Sequence, residues 1–443
     1  MRRLVVGLLV VLLGVPAFAT AHADPGDPPC PPGSSPDPSG LACVLADKAQ
    51  TGVDAMTTTP APQNAWLTNV LELQHHLGDA LPWTDAMWVG THNSFNTIAN
   101  SPPSLSNTDS NQHISLVDQL DIGIRGIEID VHWMLNRVVV CHARPPSELN
   151  VGCTTERDLE AELQPIAKWV EAHPGDVLLL YLEDNIQDST GAGYAAAAQA
   201  IDATIGDHVF KPGAGESCPA LPLTASRQDV LDAGKQVVIM SGCDASATGG
   251  AWNTTVFDDS VRAEEGNPDF ANCTSPSVHA DAYGTKLVRF YEDSTFVSAA
   301  TSGGDPGHRL TVDEIREMVT CGVNLFGLDQ VDPNDPRLDA MVWSWAPNEP
   351  TASTGCAVDD GRFHTAPCKD KHPYACAKGH DWFVTQATGP QDRGSRVCAK
   401  EYPGSTYAVP GSGAHAATLR AAETAPTWVA YTDTGDGWSG TAA

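Results

Sequence analysis

Ile124-Arg125-Gly126-Ile127-Glu128-Ile129-Asp130-Val131 is the stretch on which the reading of this chain turns. It is rich in β-branched residues and nearly continuously apolar, as suits a strand of a parallel sheet covered on both faces. Its two acids are spaced by two, so both side chains leave the same side of the strand. Runs of the same kind lie at 87–91, 137–142, 176–183, 236–241, 286–291, 323–329 and 340–345. Helical patterns sit between several of them. Residues 155–172 put Leu159, Leu163, Ile166 and Val170 on one face, with Thr154 or Thr155 as a cap. Residues 191–205 are alanine-rich, and 311–320 open on a capping box, Thr311 with Glu314. Strands alternating with helices predict an α/β fold, an irregular TIM-type (β/α)8 barrel over residues 81–347. The irregularity is expected at 137–142, which follows the preceding strand too closely for an intervening helix.

The flanks differ in character. Residues 1–23 read as a secretory signal: Arg2 and Arg3, an apolar run from Leu4 to Val15, then Ala21-His22-Ala23 as a cleavage site. That run is shorter than the roughly 20 residues a membrane span requires, and a secreted, extracellular protein without a transmembrane segment is expected. Residues 24–80 form a Pro-rich leader and an N-terminal helix from about 62. Residues 348–443 hold four cysteines, with many Gly and Pro, and read as a small disulfide-rich C-terminal module. The 12 cysteines, with an export signal and no C-x-x-C, favour disulfides over metal thiolates. Cys30/Cys43, Cys141/Cys153 and Cys356/Cys368 are close enough in sequence to close local loops. A formal charge of −30 argues against nucleic acid as a partner.

In such a barrel the polar residues at the C-terminal strand ends build the site. The proposed strands deliver His92 and Asn93, then Glu128 and Asp130, then His142, then Glu183. Any one of these has an ordinary explanation as a packing histidine or a helix cap; their succession does not. Asn93, Glu128, Asp130 and Glu183 offer only oxygen, a donor set for a hard cation such as Ca2+. The two histidines remain free for proton transfer near neutral pH. A cation among carboxylates, flanked by two imidazoles, suits phosphodiester chemistry.

His92-Asn93-Ser94-Phe95, then Gln119 through Asp130, Val140-Cys141-His142, and Asp176 through Glu183 together resemble the catalytic X region of phosphatidylinositol-specific phospholipases C. The resemblance implies that His92 stabilises the phosphoryl oxygens and that His142 is the general acid. It also implies that Asn93, Glu128, Asp130 and Glu183 hold calcium, with Glu128 or a neighbouring carboxylate as the base. The substrate implied is a phospholipid at a membrane surface. In the metal-free branch an arginine replaces the cation; Arg125 is not at the carboxylate positions, which favours calcium. Arg289-Phe290-Tyr291 resembles the family's headgroup-contacting strand, with Arg289 on phosphate and Tyr291 on the ring. The strand ending Met240-Ser241-Gly242 lacks the lysines that grip extra ring phosphates.

The segment from Trp345 to Pro350, with Cys356, Gly361–Cys368 and Pro373–Cys376, resembles the latter half of a C-type lectin domain, without its calcium- and sugar-binding stretch. Glycan contact through the C-terminal module is the corresponding expectation, and Trp343 and Trp345 are expected in the core. Two alternatives remain open. One is a glycerophosphodiester phosphodiesterase, which usually carries arginine after the first histidine where this chain has Asn93. The other is a secreted glycan- or surface-binding protein on an inactive barrel.

Overall fold

The structure, a computed structural model, describes residues 64–97, 110–142, 157–243, 250–266, 284–293, 309–351 and 354–442. The proposed signal, the leader to residue 63, and Cys30, Cys43, Cys153, Thr154 and Thr155 lie outside these.

The elements that carry the site run in chain order as follows. Helix α1 (Ala65–Leu77) is capped by Asn64, whose side chain accepts from the Leu67 amide. Helix α2 (Leu116–Asp121) precedes strands β1 (Gly126–Met134) and β2 (Arg137–Val140). Helix α3 (Leu159–Ala172) leads to β3 (Leu178–Asn185), and α4 (Ala192–Thr204) to the short β4 (Val209–Phe210). Then come α5 (Arg227–Asp232), β5 (Val237–Ser241), β6 (Phe257–Asp258), β7 (Arg262–Gly266) and β8 (Leu287–Tyr291). Helix α6 (Val312–Cys321) carries the expected Thr311/Glu314 capping box, and β9 (Leu325–Gly327) follows.

These strands make a parallel α/β barrel. β1, β3 and β5 pair in parallel in that order, and β5 continues to β6. β7, β8 and β9 form a second parallel run. Residues 88–91 join the two runs through parallel bridges, Trp88 and Thr91 to Leu325 and Leu328, Gly90 to Gly126. A Cβ on Gly90 would collide with the Phe326 carbonyl and come within 3.0 Å of the Gly126 carbonyl, so only glycine permits this close approach. Among the described residues no ladder joins β6 to β7. Arg262, at the start of β7, reaches instead to β3, where its guanidinium lies 3.8 Å from the Tyr181 ring centroid and donates to its hydroxyl at 2.7 Å.

Three expectations are corrected. The segment 87–91 pairs only by isolated bridges. β2 is not a barrel strand: it folds back antiparallel on β1, with Val131 opposite Val140. Residues 340–345 form no strand. Helix α7 (Pro336–Met341) starts at the Asp335 cap with Pro336 at its first position, and the chain beyond it serves another purpose. The Trp343 and Ser344 amides donate to the Gln74 side chain of α1, and Ser344's carbonyl accepts from Phe363. β6 and β7 do not stand out in the sequence as strands.

The C-terminal region contributes β10 (Gly355–Asp359), β11 (Phe363–Ala366), β12 (Ala375–Lys378), β13 (Asp381–Val384), α8 (Gly394–Glu401), β14 (Thr406–Tyr407), α9 (Gly413–Ala422), β15 (Thr427–Asp433) and β16 (Trp438–Gly440). They form two antiparallel sheets, β11-β10-β15-β16 and β13-β12-β14. Disulfides Cys356–Cys368 and Cys376–Cys398 fasten the region, and Cys218–Cys243 ties two loops of the barrel. Cys141 and Cys321 are also disulfide-bonded. Trp343 and Trp345 are buried, in a core shared by both regions.

Candidate active site

β1 alternates its side chains so that Glu128 and Asp130 point one way, while Ile127, Ile129 and Val131 pack the opposite layer. Parallel pairing sets Asp130 opposite Glu183 of β3. One oxygen from each of Glu128, Asp130 and Glu183 lies within 4.8 Å of the others. Glu128 and Asp130 are buried and Glu183 half-buried. Burial pushes the Asp130 carboxyl well above the usual range, and the charges of Glu183 and Glu128 push it further. Glu183 rises for the same two reasons, burial and Glu128. Glu128 resists its own burial: Arg289, then His92, hold it below the usual range. Arg289, on β8, donates from Nη2 to Glu128 Oε2 at 2.5 Å, an ion pair sealed from solvent.

His92 follows the 88–91 bridges and is buried beside this cluster. Its Nδ1 donates to Asp329 Oδ1 at 3.2 Å, and its Nε2 lies 3.9 Å from Glu128 Oε2. Burial alone would discharge the imidazole, but Glu128 and Asp329 overcome it and push its pKa up to about 10. The two carboxylates thus favour the charged form of His92. Asn93 bridges the two halves. Its amide N–H donates to Glu128 Oε2 at 3.1 Å. With its side chain oriented so that Nδ2 donates to Asp130 at 2.9 and 3.2 Å, its Oδ1 accepts from His92 Nε2 at 3.2 Å. Asn93 adopts φ 45°, a left-handed conformation that asparagine tolerates better than most residues. Tyr291, at the end of β8, lies 5.1 Å from the His92 ring and 4.9 Å from the Arg289 guanidinium.

A layer of polar side chains that no sequence motif singles out holds this arrangement. Asn111 donates to both oxygens of Asp329, at 3.2 and 3.0 Å. Gln112 donates to the His92 and Leu328 carbonyls. Arg337 donates to both oxygens of Glu292 and to the Asp329 carbonyl, while Glu292 accepts from the Asp329 amide. Asp329 carries the same signal as Glu183, an acid at the end of an apolar run, and is legible on that ground.

The structure therefore brings His92, Asn93, Glu128, Asp130, Glu183, Arg289 and Tyr291 together. His142 is carried by a different element from the one expected. It follows the antiparallel β2, where the Cys141 amide donates to the Asp130 carbonyl at 3.3 Å, and it is half-buried. Its charge helps depress His132, the next inward-facing residue of β1, whose pKa burial lowers to about 4. Arg125 points elsewhere, to Asp176 at 2.8 Å and the Trp169 ring.

A parallel barrel bearing a histidine–aspartate pair and a carboxylate cluster at its C-terminal strand ends defines a domain of the phosphatidylinositol-specific phospholipase C type. Residues 49–335 match the family model described as "Rv2075c PI-PLC-like domain". The chain belongs to that family. It is 35% identical over 437 residues to the uncharacterized protein Rv2075c of Mycobacterium tuberculosis, covering 86% of this chain and 87% of the relative. It is 25% identical over 127 residues to a PI-PLC X domain-containing protein of Arabidopsis thaliana, covering 28% of this chain and 29% of that one. Among solved structures, the phosphatidylinositol-specific phospholipase C of Listeria monocytogenes superposes with a TM-score of 0.43 at 14% identity, over 61% of this chain and 98% of that one.

Proposed function

We propose that this protein is an exported, calcium-dependent phosphodiesterase that cleaves phosphatidylinositol or a related phospholipid at a membrane surface, releasing diacylglycerol and a cyclic inositol phosphate. The observation that carries the reading is the placement of His92, held by Asp329 at 3.2 Å and set 3.9 Å from Glu128 of the Glu128, Asp130 and Glu183 cluster. In that role His92 and Arg289 stabilise negative charge on the phosphoryl oxygens, and Tyr291 packs against the inositol ring. The inositol 2-hydroxyl oxygen attacks phosphorus and its proton passes to Glu128 or to a neighbouring carboxylate, Asp130 and Glu183 being the two that burial pushes up. The bond from phosphorus to the glycerol oxygen breaks, and His142 protonates that oxygen. Export is supported by the N-terminal signal pattern together with the disulfides.

The cluster fits a hard cation, because it offers three carboxylate oxygens, and no nitrogen or sulfur, within 4.8 Å of one another. Glu128, Asp130 and Glu183 would hold calcium, with Asn93 contributing its amide oxygen on turning from its present hydrogen bonds. Bound there, the ion would acidify the attacking hydroxyl and neutralise phosphoryl charge. One observation favours a second reading. Arg289 already lies against Glu128, where a metal-free enzyme would place its cation, although it comes from β8 and not from β1.

Phosphorus NMR of the products from phosphatidylinositol vesicles tests both. The expected result is a cyclic inositol phosphate in calcium, none in EGTA, and none from His92→Ala or His142→Ala. Turnover undiminished in EGTA but lost in Arg289→Lys selects the metal-free reading. Glycerol phosphate or free inositol phosphate without a cyclic intermediate, or no cleavage of any phosphodiester, overturns the proposal.

A further inference from the structure

A second group of metal-ligating side chains lies away from the strand ends that carry the catalytic residues. Asp85 sits in the turn that leads into the 88–91 segment. His380 lies in the turn between β12 and β13. His415 is in the first turn of α9, where Ser412 caps the helix by accepting from the His415 amide at 3.3 Å. One ligand atom from each of the three lies within 4.8 Å of the others. The elements are far apart in sequence and belong to both regions of the chain, so their convergence is a product of tertiary packing.

The two imidazoles face each other nitrogen to nitrogen, His380 Nδ1 to His415 Nε2 at 3.3 Å. That is long for a hydrogen bond between two rings. It matches the edge of a tetrahedron of ligands held about 2.0–2.1 Å from a zinc ion, which is about 3.3–3.4 Å. His415 is buried, with 6% of its surface exposed, Asp85 is half-buried, and His380 is at the surface. All three line a cavity of about 350 Å³ with Ser412, Asn324 and Val319. The site is thus preformed on two sides and open on the third, with space for a water ligand.

We infer that Asp85, His380 and His415 form a site for a divalent transition-metal ion of the zinc class, fastening the C-terminal region to the entry of the barrel. Two imidazole nitrogens and one carboxylate oxygen select such an ion over calcium, which the all-oxygen cluster at the catalytic end would prefer. The three ligands come from three elements that only the folded state assembles, so binding raises thermal stability. With three protein ligands and an open fourth position, the ion carries a water facing the cavity.

The test uses the full chain without a histidine tag, saturated with calcium to occupy the acidic cluster. Zinc chloride is titrated by calorimetry, and the melting temperature is followed with and without zinc. One equivalent of zinc is expected to bind and raise the melting temperature. His380→Gln should weaken zinc binding by at least the about 10–100-fold that loss of a mere supporting partner costs, and Asp85→Asn should do likewise. Both should melt normally without zinc, since His380 is exposed and Asp85 only half-buried. Glu183→Gln should retain the zinc response. Absence of a saturable zinc effect in the parent protein, or an undiminished effect in His380→Gln, would overturn the assignment. So would loss of the effect in Glu183→Gln, which would place the zinc at the catalytic carboxylates. X-ray absorption of the loaded protein should show two imidazoles on the metal.

Discussion

His92 illustrates how one residue's charge is set by what surrounds it. Burial works against the imidazolium, yet Glu128 and Asp329 keep it charged up to about pH 10. The sign of the linkage follows. A folded pKa above the unfolded value of 6.5 gives stability that is present in full below pH 6.5 and is lost as pH rises through 10. Urea titrations from pH 6 to 10 should show unfolding free energy falling by a few kcal/mol, since a proton held tenfold more tightly in the folded state is worth about 1.4 kcal/mol. Asp329→Asn should flatten that decline and move the alkaline limb of any activity profile to lower pH. An unchanged slope in Asp329→Asn would mean that Asp329 does not hold the proton. Backbone strain marks the same place: Asn93 and Gln330, each next to a member of the pair, both have positive φ, at 45° and 51°. Such conformations cost about 1–3 kcal/mol each and persist where the surroundings enforce them. Nothing in the residue types alone announces them.

At the scale of elements, the parallel strands are legible because burial on both faces leaves a continuous apolar run, and 176–183, 236–241 and 286–291 correspond to β3, β5 and β8 with displacements of two residues or fewer. The run 340–345 is equally apolar and buried, so composition cannot tell it from a strand. What decides it is where its backbone hydrogen bonds go, to Gln74 and Phe363, and those partners lie far away in sequence. The Asp335-Pro336 helix start is the local signal that argues against a strand. β6 is only two residues long and the acids of β7 interrupt any apolar run, which hides them. His142 is evident from its motif, although the antiparallel hairpin that returns it is not. The sharpest constraint at this scale is the crossing of 88–91 between β1 and β9, where Gly90 meets the backbone of both neighbours. Gly90→Ala places a methyl group against two carbonyls that belong to ladders and cannot yield. It should cost about 3 kcal/mol and displace His92 two residues on. Circular dichroism melting gives the first and phosphodiesterase activity the second; a variant with parental stability would show that the barrel seam is looser than these contacts imply.

For the whole molecule, the question is whether the C-terminal region is an appendage or part of the barrel's own core. Its sequence, with paired cysteines and loops, reads as a separate module over residues 348–443. The packing joins it to the barrel. A single buried cluster contains Val70 of α1, Phe290 of β8 and Met318 and Val319 of α6 together with Phe363, Ala375, Val409 and Val429. Trp345 lies 5.7 Å from the Phe363 ring, 4.5 Å from Trp438 and 5.9 Å from Tyr431. Arg420 of α9 pairs with the fully buried Asp359 and donates to the Trp343 carbonyl. Removing residues 348–443 would uncover Trp343 and Trp345 and strip neighbours from α6, which precedes the strand leading to Asp329. Burying a large aromatic is worth roughly 1.5–3 kcal/mol by area, and a domain's net stability is only about 5–15 kcal/mol, so losing several such contacts at once exceeds what the barrel can spare. A chain ending at residue 347 should therefore be insoluble or molten, with near-ultraviolet dichroism lost, and the full chain should unfold in one cooperative calorimetric transition. Two separated transitions, or a soluble truncated barrel with native dichroism, would show instead that the regions fold independently and that the shared core is a contact between finished domains.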